Sequence, residues 1–330
     1  MKSYFKKYFS KNLHVSSGWV DLKCNLGEPG FEQKEDLTTG LKAAAAGGFT
    51  TVLMMPSTQP RLQSKTDIEF VQSKTKLNLV EVLVAGSLSI DGNQNDMAEL
   101  FDMHKAGAVA FTDDKKSGHS SGFLIRALQY CKTFNAPLIV FADDTSLNNN
   151  SLINESATGV ITGMKGAPAI AEEIMVSRNI KLCDYAQGRL HFSTISTTGA
   201  AQIIKQAKAK GSNITAEVTA HHLLVDETAV EFFDSNYKVH PVLRSKADIA
   251  SLKKALADGT IDAICSDHTP QDIESKDVEI LRGMITTTWG EIQNQEFEGC
   301  GKKECLWCRF IKNNRTVDSF ANIETEYLDD

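Results

Sequence analysis

The sequence predicts a (β/α)8 barrel, and three observations carry that prediction. Strand-like runs alternate with helix-like runs along most of the 330 residues, as in a parallel sheet with crossover helices. Eight such strands can be read in order. No glycine-rich phosphate turn follows any early strand, which sets the open doubly wound sheet in second place.

The first strand, 19–26, is apolar at Trp19, Val20 and Leu22 and runs into a Glu28-Pro29-Gly30 turn, after which a helix spans 35–46. Further strands are predicted over 50–56, 80–87, 108–112, 137–142, 189–195, 213–219 and 262–266. Helices are predicted between them over 64–74, 96–105, 121–134, 168–185, 198–210 and 246–257. Pro168 suits a first helical turn, and Gly47, Gly107, Gly188, Gly211 and Gly259 stand where C-terminal caps belong. In such a barrel the active site forms at the C-terminal strand ends. The polar residues there are Lys23, Asn25, Ser57, Asp113, Asp114, Asp143, Asp144, Thr194, His221, His222, Asp267 and His268.

Apolar residues make up 42% and charged residues 23% of the chain, and 330 residues suffice to bury a substantial core. A net charge of −7 argues against a general nucleic-acid or membrane-surface binder, because phosphates and anionic lipids select basic faces. No apolar run reaches bilayer-spanning length. Residues 1–18 form a basic, aromatic leader without the apolar core of a secretory signal, and fraying is expected there. Cys24, Cys131, Cys183 and Cys265 are scattered singly and read as reduced, semi-buried thiols, consistent with the cytoplasm. Cys300, Cys305 and Cys308 form a C-x4-C-x2-C cluster, short of the four ligands of a structural zinc site.

From about residue 19 to 276 a series of ordered motifs resembles the dihydroorotase family of the amidohydrolase superfamily. These are Glu28-Pro29-Gly30-Phe31, Ala43-Ala44-Ala45-Ala46-Gly47-Gly48-Phe49-Thr50-Thr51, and Met55-Pro56-Ser57-Thr58-Gln59-Pro60. Gly163-Met164-Lys165-Gly166, Arg189-Leu190-His191-Phe192-Ser193, Tyr237-Lys238-Val239-His240-Pro241 and Ser266-Asp267-His268-Thr269-Pro270 continue the order. The resemblance implies the barrel, a zinc cofactor and reversible formation of dihydroorotate from carbamoyl aspartate.

The same resemblance implies that the metal site is degenerate. The family's first strand reads Asp-x-His-x-His, and Lys23 and Asn25 stand at the two histidine positions. Phe141 and Thr194 stand at the other two, on strands 5 and 6. Asp113 or Asp114 matches the strand-4 carboxylate, with Asp113 taken as the metal position, and Asp267 matches the strand-8 aspartate. Substrate positions are altered too: Gly27 replaces an arginine, Ser57 and His240 replace asparagines, and His268 lies beside Asp267. A protonated lysine is no metal ligand and an amide is a poor one, so no cofactor is expected. Asp267 is expected to be retained without a catalytic function. Lys23 is expected to replace the metal charge by an ion pair with Asp267, Asp113 or Asp114. His191, His221 and His222 read as structural.

The Lys-Cys-Asn form of strand 1 resembles a noncatalytic dihydroorotase-like subgroup, whose implied partner is aspartate carbamoyltransferase; self-association is the alternative. The barrel reads as truncated at both ends, and 277–330 as an unrelated, possibly fused tail that weakly resembles the end of helicase–nuclease proteins. An active hydrolase with a non-standard metal site and a damaged fusion product stay open at this point.

Overall fold

A computed structural model describes residues 18–148, 151–272 and 274. The leader and the tail containing Cys300, Cys305 and Cys308 lie outside the described residues. Eight strands form one sheet: β1 (Trp19–Cys24), β2 (Phe49–Met54), β3 (Glu81–Ser87), β4 (Ala108–Thr112), β5 (Leu138–Phe141), β8 (Leu190–Ser193), β9 (Ile214–Thr219) and β10 (Ala263–Cys265). They pair in that order, and every paired neighbour is parallel. The last strand returns to the first through a bridge between Cys24 and His268 and an Asn25 N–H to His268 carbonyl bond of 2.8 Å. Asp21 reinforces the join by accepting from the Ser266 amide at 3.0 Å and from the Ser266 hydroxyl. The result is a nearly closed barrel, as predicted.

Strand alternation sorts the core into two layers. Val52, Met54, Val84 and Phe111 face outward into a large apolar layer under the helices. Leu53, Met55, Ala85, Ala110 and Ile139 pack together inside the barrel. On β1, β8 and β9 the interior is polar instead: Asp21, Lys23, Ser193 and Glu217 are all buried.

The outer helices are α1 (Leu37–Ala46), α2 (Lys65–Thr75), α3 (Leu100–Lys105), α4 (Ser121–Lys132), α6 (Ile170–Ala186), α7 (Thr198–Ala209) and α8 (Lys246–Ala257). Capping boxes start α1 at Asp36, α2 at Ser64 and α8 at Ser245. In the last of these, the Ser245 hydroxyl donates to Asp248, whose other oxygen accepts from Thr198 at the start of α7. Ser245→Ala is expected to lower stability by about 1 kcal/mol, read as a shifted urea midpoint with an unchanged m-value.

Three local expectations are corrected. The helix predicted over 96–105 begins only at Leu100, because Met97 bridges Ser89 and the Ala98 amide bonds Leu88, holding this stretch extended. Gly47 caps α1 as expected, whereas α6 is capped by Gln187, in the left-handed conformation, one residue before Gly188. Between β5 and α6 lies an unpredicted excursion, β6 (Ile153–Asn154), α5 (Ala157–Thr162) and β7 (Gly166–Ala167). Its Ile153 and Met164 share a small apolar cluster with Val230, Val239 and Leu243 from the turns after β9. No helix among the described residues is long and apolar enough to cross a membrane.

Candidate functional site

Lys23 lies at the centre of the barrel mouth. It follows Asp21 on the inward face of β1, and its side chain is 1% exposed. The Nζ atom lies 3.2 Å from Asp114 Oδ1 and 3.6 Å from Asp267 Oδ1, and it donates to Ser193 Oγ at 3.0 Å. The Phe141 ring stands on another side, its centroid 5.8 Å from the ammonium. Ser193 passes the contact on, donating to Glu217 Oε1 at 2.8 Å, while His191 Nε2 lies 3.4 Å from Glu217 Oε2. A second ammonium enters from the loop after β4, with Lys115 Nζ 2.7 Å from Asp267 Oδ2.

These charges hold one another. Burial alone would push the Lys23 amine down, but the negative charges of Asp114, Asp267 and Glu217 outweigh it and hold the ammonium above the ordinary lysine range. Burial likewise works against the Asp114 carboxylate, and Lys23, Lys115 and the Ser57 hydroxyl together keep it below its usual value. Glu217 is depressed in the same way by His191, Lys23 and Ser193 against burial.

The structure separates the two strand-4 aspartates. Asp114, not Asp113, faces Lys23, and it also accepts from Ser57 Oγ at 2.8 Å and from Asn25 Nδ2 at 3.4 Å. Asp113 turns outward. It accepts from the Leu88 and Ser89 amides at 3.0 Å each, from Ser87 Oγ at 3.0 Å, from Ser89 Oγ at 2.5 Å, and contacts His119 Nε2 at 2.7 Å. Asp113 therefore pins the β3–β4 rim and does not belong to the central cluster.

Thr194 closes β8 beside the cluster. It is 2% exposed, its hydroxyl has no hydrogen-bond partner among the described residues, and its φ is +57°. Asp114 and Asp267 share that left-handed conformation, at +57° and +55°. Aspartate tolerates it; a β-branched threonine rarely does. Strand-end backbone of this form, kept despite its cost, turns side chains into the mouth.

The substrate positions are dispersed. The His240 ring lies against Phe141, tilted by 52° with ring centroids 4.8 Å apart, and Nε2 lies 3.5 Å from Asp143. Burial, reinforced by Lys115 and Lys23, pushes its pKa down to about 3. His268 contacts Glu35 at 2.7 Å. His222 is held by Thr219 and the Val242 carbonyl, and burial pushes it down to about 4. Burial, then the neighbouring His222 and Lys115, keeps His221 well below its usual value. Gly27 has φ +68°, and a Cβ there would stand 2.2 Å from the Glu35 carbonyl oxygen and 2.9 Å from that of Phe31. Position 27 thus has no room for a side chain.

A resident zinc does not fit this donor set. Among the described residues no group of three or more histidine, cysteine, aspartate or glutamate side chains is arranged to hold an ion. The space between Asp114 and Asp267 is taken by an ammonium, which repels a metal ion and offers no lone pair. Lys115 and Glu217 are members of the cluster that were not singled out from sequence. The signal for Glu217 was present in Ile214-Thr215-Ala216-Glu217-Val218-Thr219, where strict alternation puts glutamate on the threonine face.

Comparison with known proteins agrees with the architecture. A family model described as Dihydro-orotase-like matches residues 13–200. A dihydroorotase of Pelotomaculum thermopropionicum is 40% identical over 265 residues, covering 80% of this chain and 62% of that protein. One from Citrifermentans bemidjiense is 40% identical over 280 residues, covering 84% and 66%. The chain thus spans less than two thirds of the length of these relatives. Among solved structures, an L-hydantoinase (dihydropyrimidinase) from Arthrobacter aurescens superposes with a TM-score of 0.71 at 21% identity, covering 82% of this chain and 63% of that one. A D-hydantoinase from a Bacillus sp. AR9 gives 0.69 at 20% identity, covering 88% and 68%. Similarity at that identity reports the fold alone.

Proposed function

The chain belongs to the dihydroorotase-like family, and we propose that it is a noncatalytic member serving pyrimidine biosynthesis as a structural or regulatory partner. The observation that carries this reading is the state of the two mouth carboxylates. Asp114 is paired with Lys23, and Asp267 lies between Lys23 and Lys115. A general base must be able to take a proton from a water near the scissile amide. A carboxylate whose charge is already neutralised by a buried ammonium is poorly placed to do so. Hydrolysis in this family would also call for a metal to lower the pKa of that water, and the donors for one do not converge. The closed backbone at Gly27 supports the same reading from the substrate side, since no cation stands there to hold a carboxylate.

Purified full-length protein is expected to show no dihydroorotate hydrolysis or carbamoyl aspartate cyclisation above the uncatalysed rate, and substoichiometric zinc by mass spectrometry. Stoichiometric zinc accompanied by turnover would overturn the proposal. The partner suggested by family resemblance is aspartate carbamoyltransferase. Co-elution of the two proteins would support a role as its subunit, whereas a homo-oligomer indifferent to it would point to self-association.

A further inference from the structure

We propose that Lys23 is a covalently tethered cation that takes the place of a metal ion, so that the barrel mouth is closed to external cations and stable without them. The inference rests on the noncatalytic reading above and adds to it a stated role for one side chain.

Three observations carry it. First, the ammonium is placed as a central ion would be: it contacts oxygens from three separate strand ends, Asp114 after β4, Ser193 on β8 and Asp267 after β10, at 3.2, 3.0 and 3.6 Å. Second, the side chain is 1% exposed and among the largest fully buried ones, so the centre is sealed by the lysine stem and not by solvent. Third, the surrounding backbone still takes the left-handed turns at Asp114, Thr194 and Asp267 that aim side chains at this point. A carboxylate pair so deeply buried is strongly unfavourable without cations; Lys115 pairs with Asp267 from the rim, and Lys23 is the fixed positive charge that lies against both carboxylates. A lysine does this without dissociating, whereas a metal ion stabilises only by mass action.

The test is chemical rescue in the full-length chain. Wild-type melting temperature is expected to be indifferent to chelator, to zinc and to n-propylammonium. Lys23→Ala is expected to melt about 10 °C lower, and millimolar n-propylammonium to restore a substantial part of the loss. Propanol, which fills the same cavity without charge, should restore little. Equal rescue by propanol, or none by the ammonium, would overturn the proposal. If Lys23→Ala does not accumulate folded, Lys23→Met is compared with Lys23→Met/Asp114→Asn. Removal of the orphaned charge should make the double variant melt higher; an equal or lower melting temperature would overturn the proposal. Failure of the noncatalytic reading would show separately, as turnover by the wild type.

Discussion

Asp113→Asn is expected to lower the unfolding free energy by about 3–5 kcal/mol, the range for removing one partner from a buried, fully hydrogen-bonded charge. The carboxylate is buried and receives two backbone amides, two serine hydroxyls and a histidine ring nitrogen from two segments of the rim, Ser87 to Ser89 and the loop holding His119. An amide in its place presents an NH2 group toward donors that then lose their acceptor. The pH dependence follows from the direction of the shift. Burial alone would raise this carboxyl, but the bonds from His119 and Ser89 outweigh burial and hold it below its usual value. A depressed carboxylate contributes stability that is present above the unfolded pKa, ~3.9, and is lost as pH falls through the folded one. Urea titrations at pH 7, 5 and 3 should therefore show a steeper acid loss in the wild type than in Asp113→Asn. Parallel acid losses would count against the assignment.

Gly27→Arg, the substitution that would reinstate a family anchor, is expected to damage the fold by about 3 kcal/mol without restoring carboxylate binding. A left-handed φ costs an L-residue ~1–2 kcal/mol, and forcing atoms into packed space adds ~1–3 kcal/mol. Here the obstruction is backbone, the carbonyls of Glu35 and Phe31, which cannot swing aside as a flexible side chain would. Thermal melting should show a clear fall, and calorimetric titration with dihydroorotate should show no binding. A variant as stable as the wild type that binds the anion would mean that the loop reopens readily.

The barrel was legible because its signal is repeated along the chain: alternating apolar strands and capped helices each point to the same architecture. The site was legible only in part. The resemblance alone matches either Asp113 or Asp114 to the strand-4 carboxylate, although strand parity separates them. Ala110 and Thr112 share one face, Phe111 lies on the other, and counting on by two reaches Asp114. Lys115 could not be read in this way, since it lies beyond the strand and its reach to Asp267 depends on the loop path. The excursion from Ile153 to Ala167 was missed for a related reason. Its two-residue strands are too short to show a period, and their stability comes from packing on residues some seventy positions later in the chain, such as Val230 and Val239.

The join between β10 and β1 also has a consequence for how the chain comes to be folded. Asp21 meets Ser266 across 245 positions of sequence, and the Cys24 to His268 bridge is just as remote. During synthesis, Lys23 emerges early and waits for Asp267 until nearly the whole barrel has left the ribosome. Contacts so distant in sequence form slowly, because loop closure must be met before they contribute anything. Closure of the ring and the second half of the pairing of its central charge are therefore one late event: a nascent chain stopped short of residue 268 can set Lys23 against Asp114 but has no last strand to complete its surroundings.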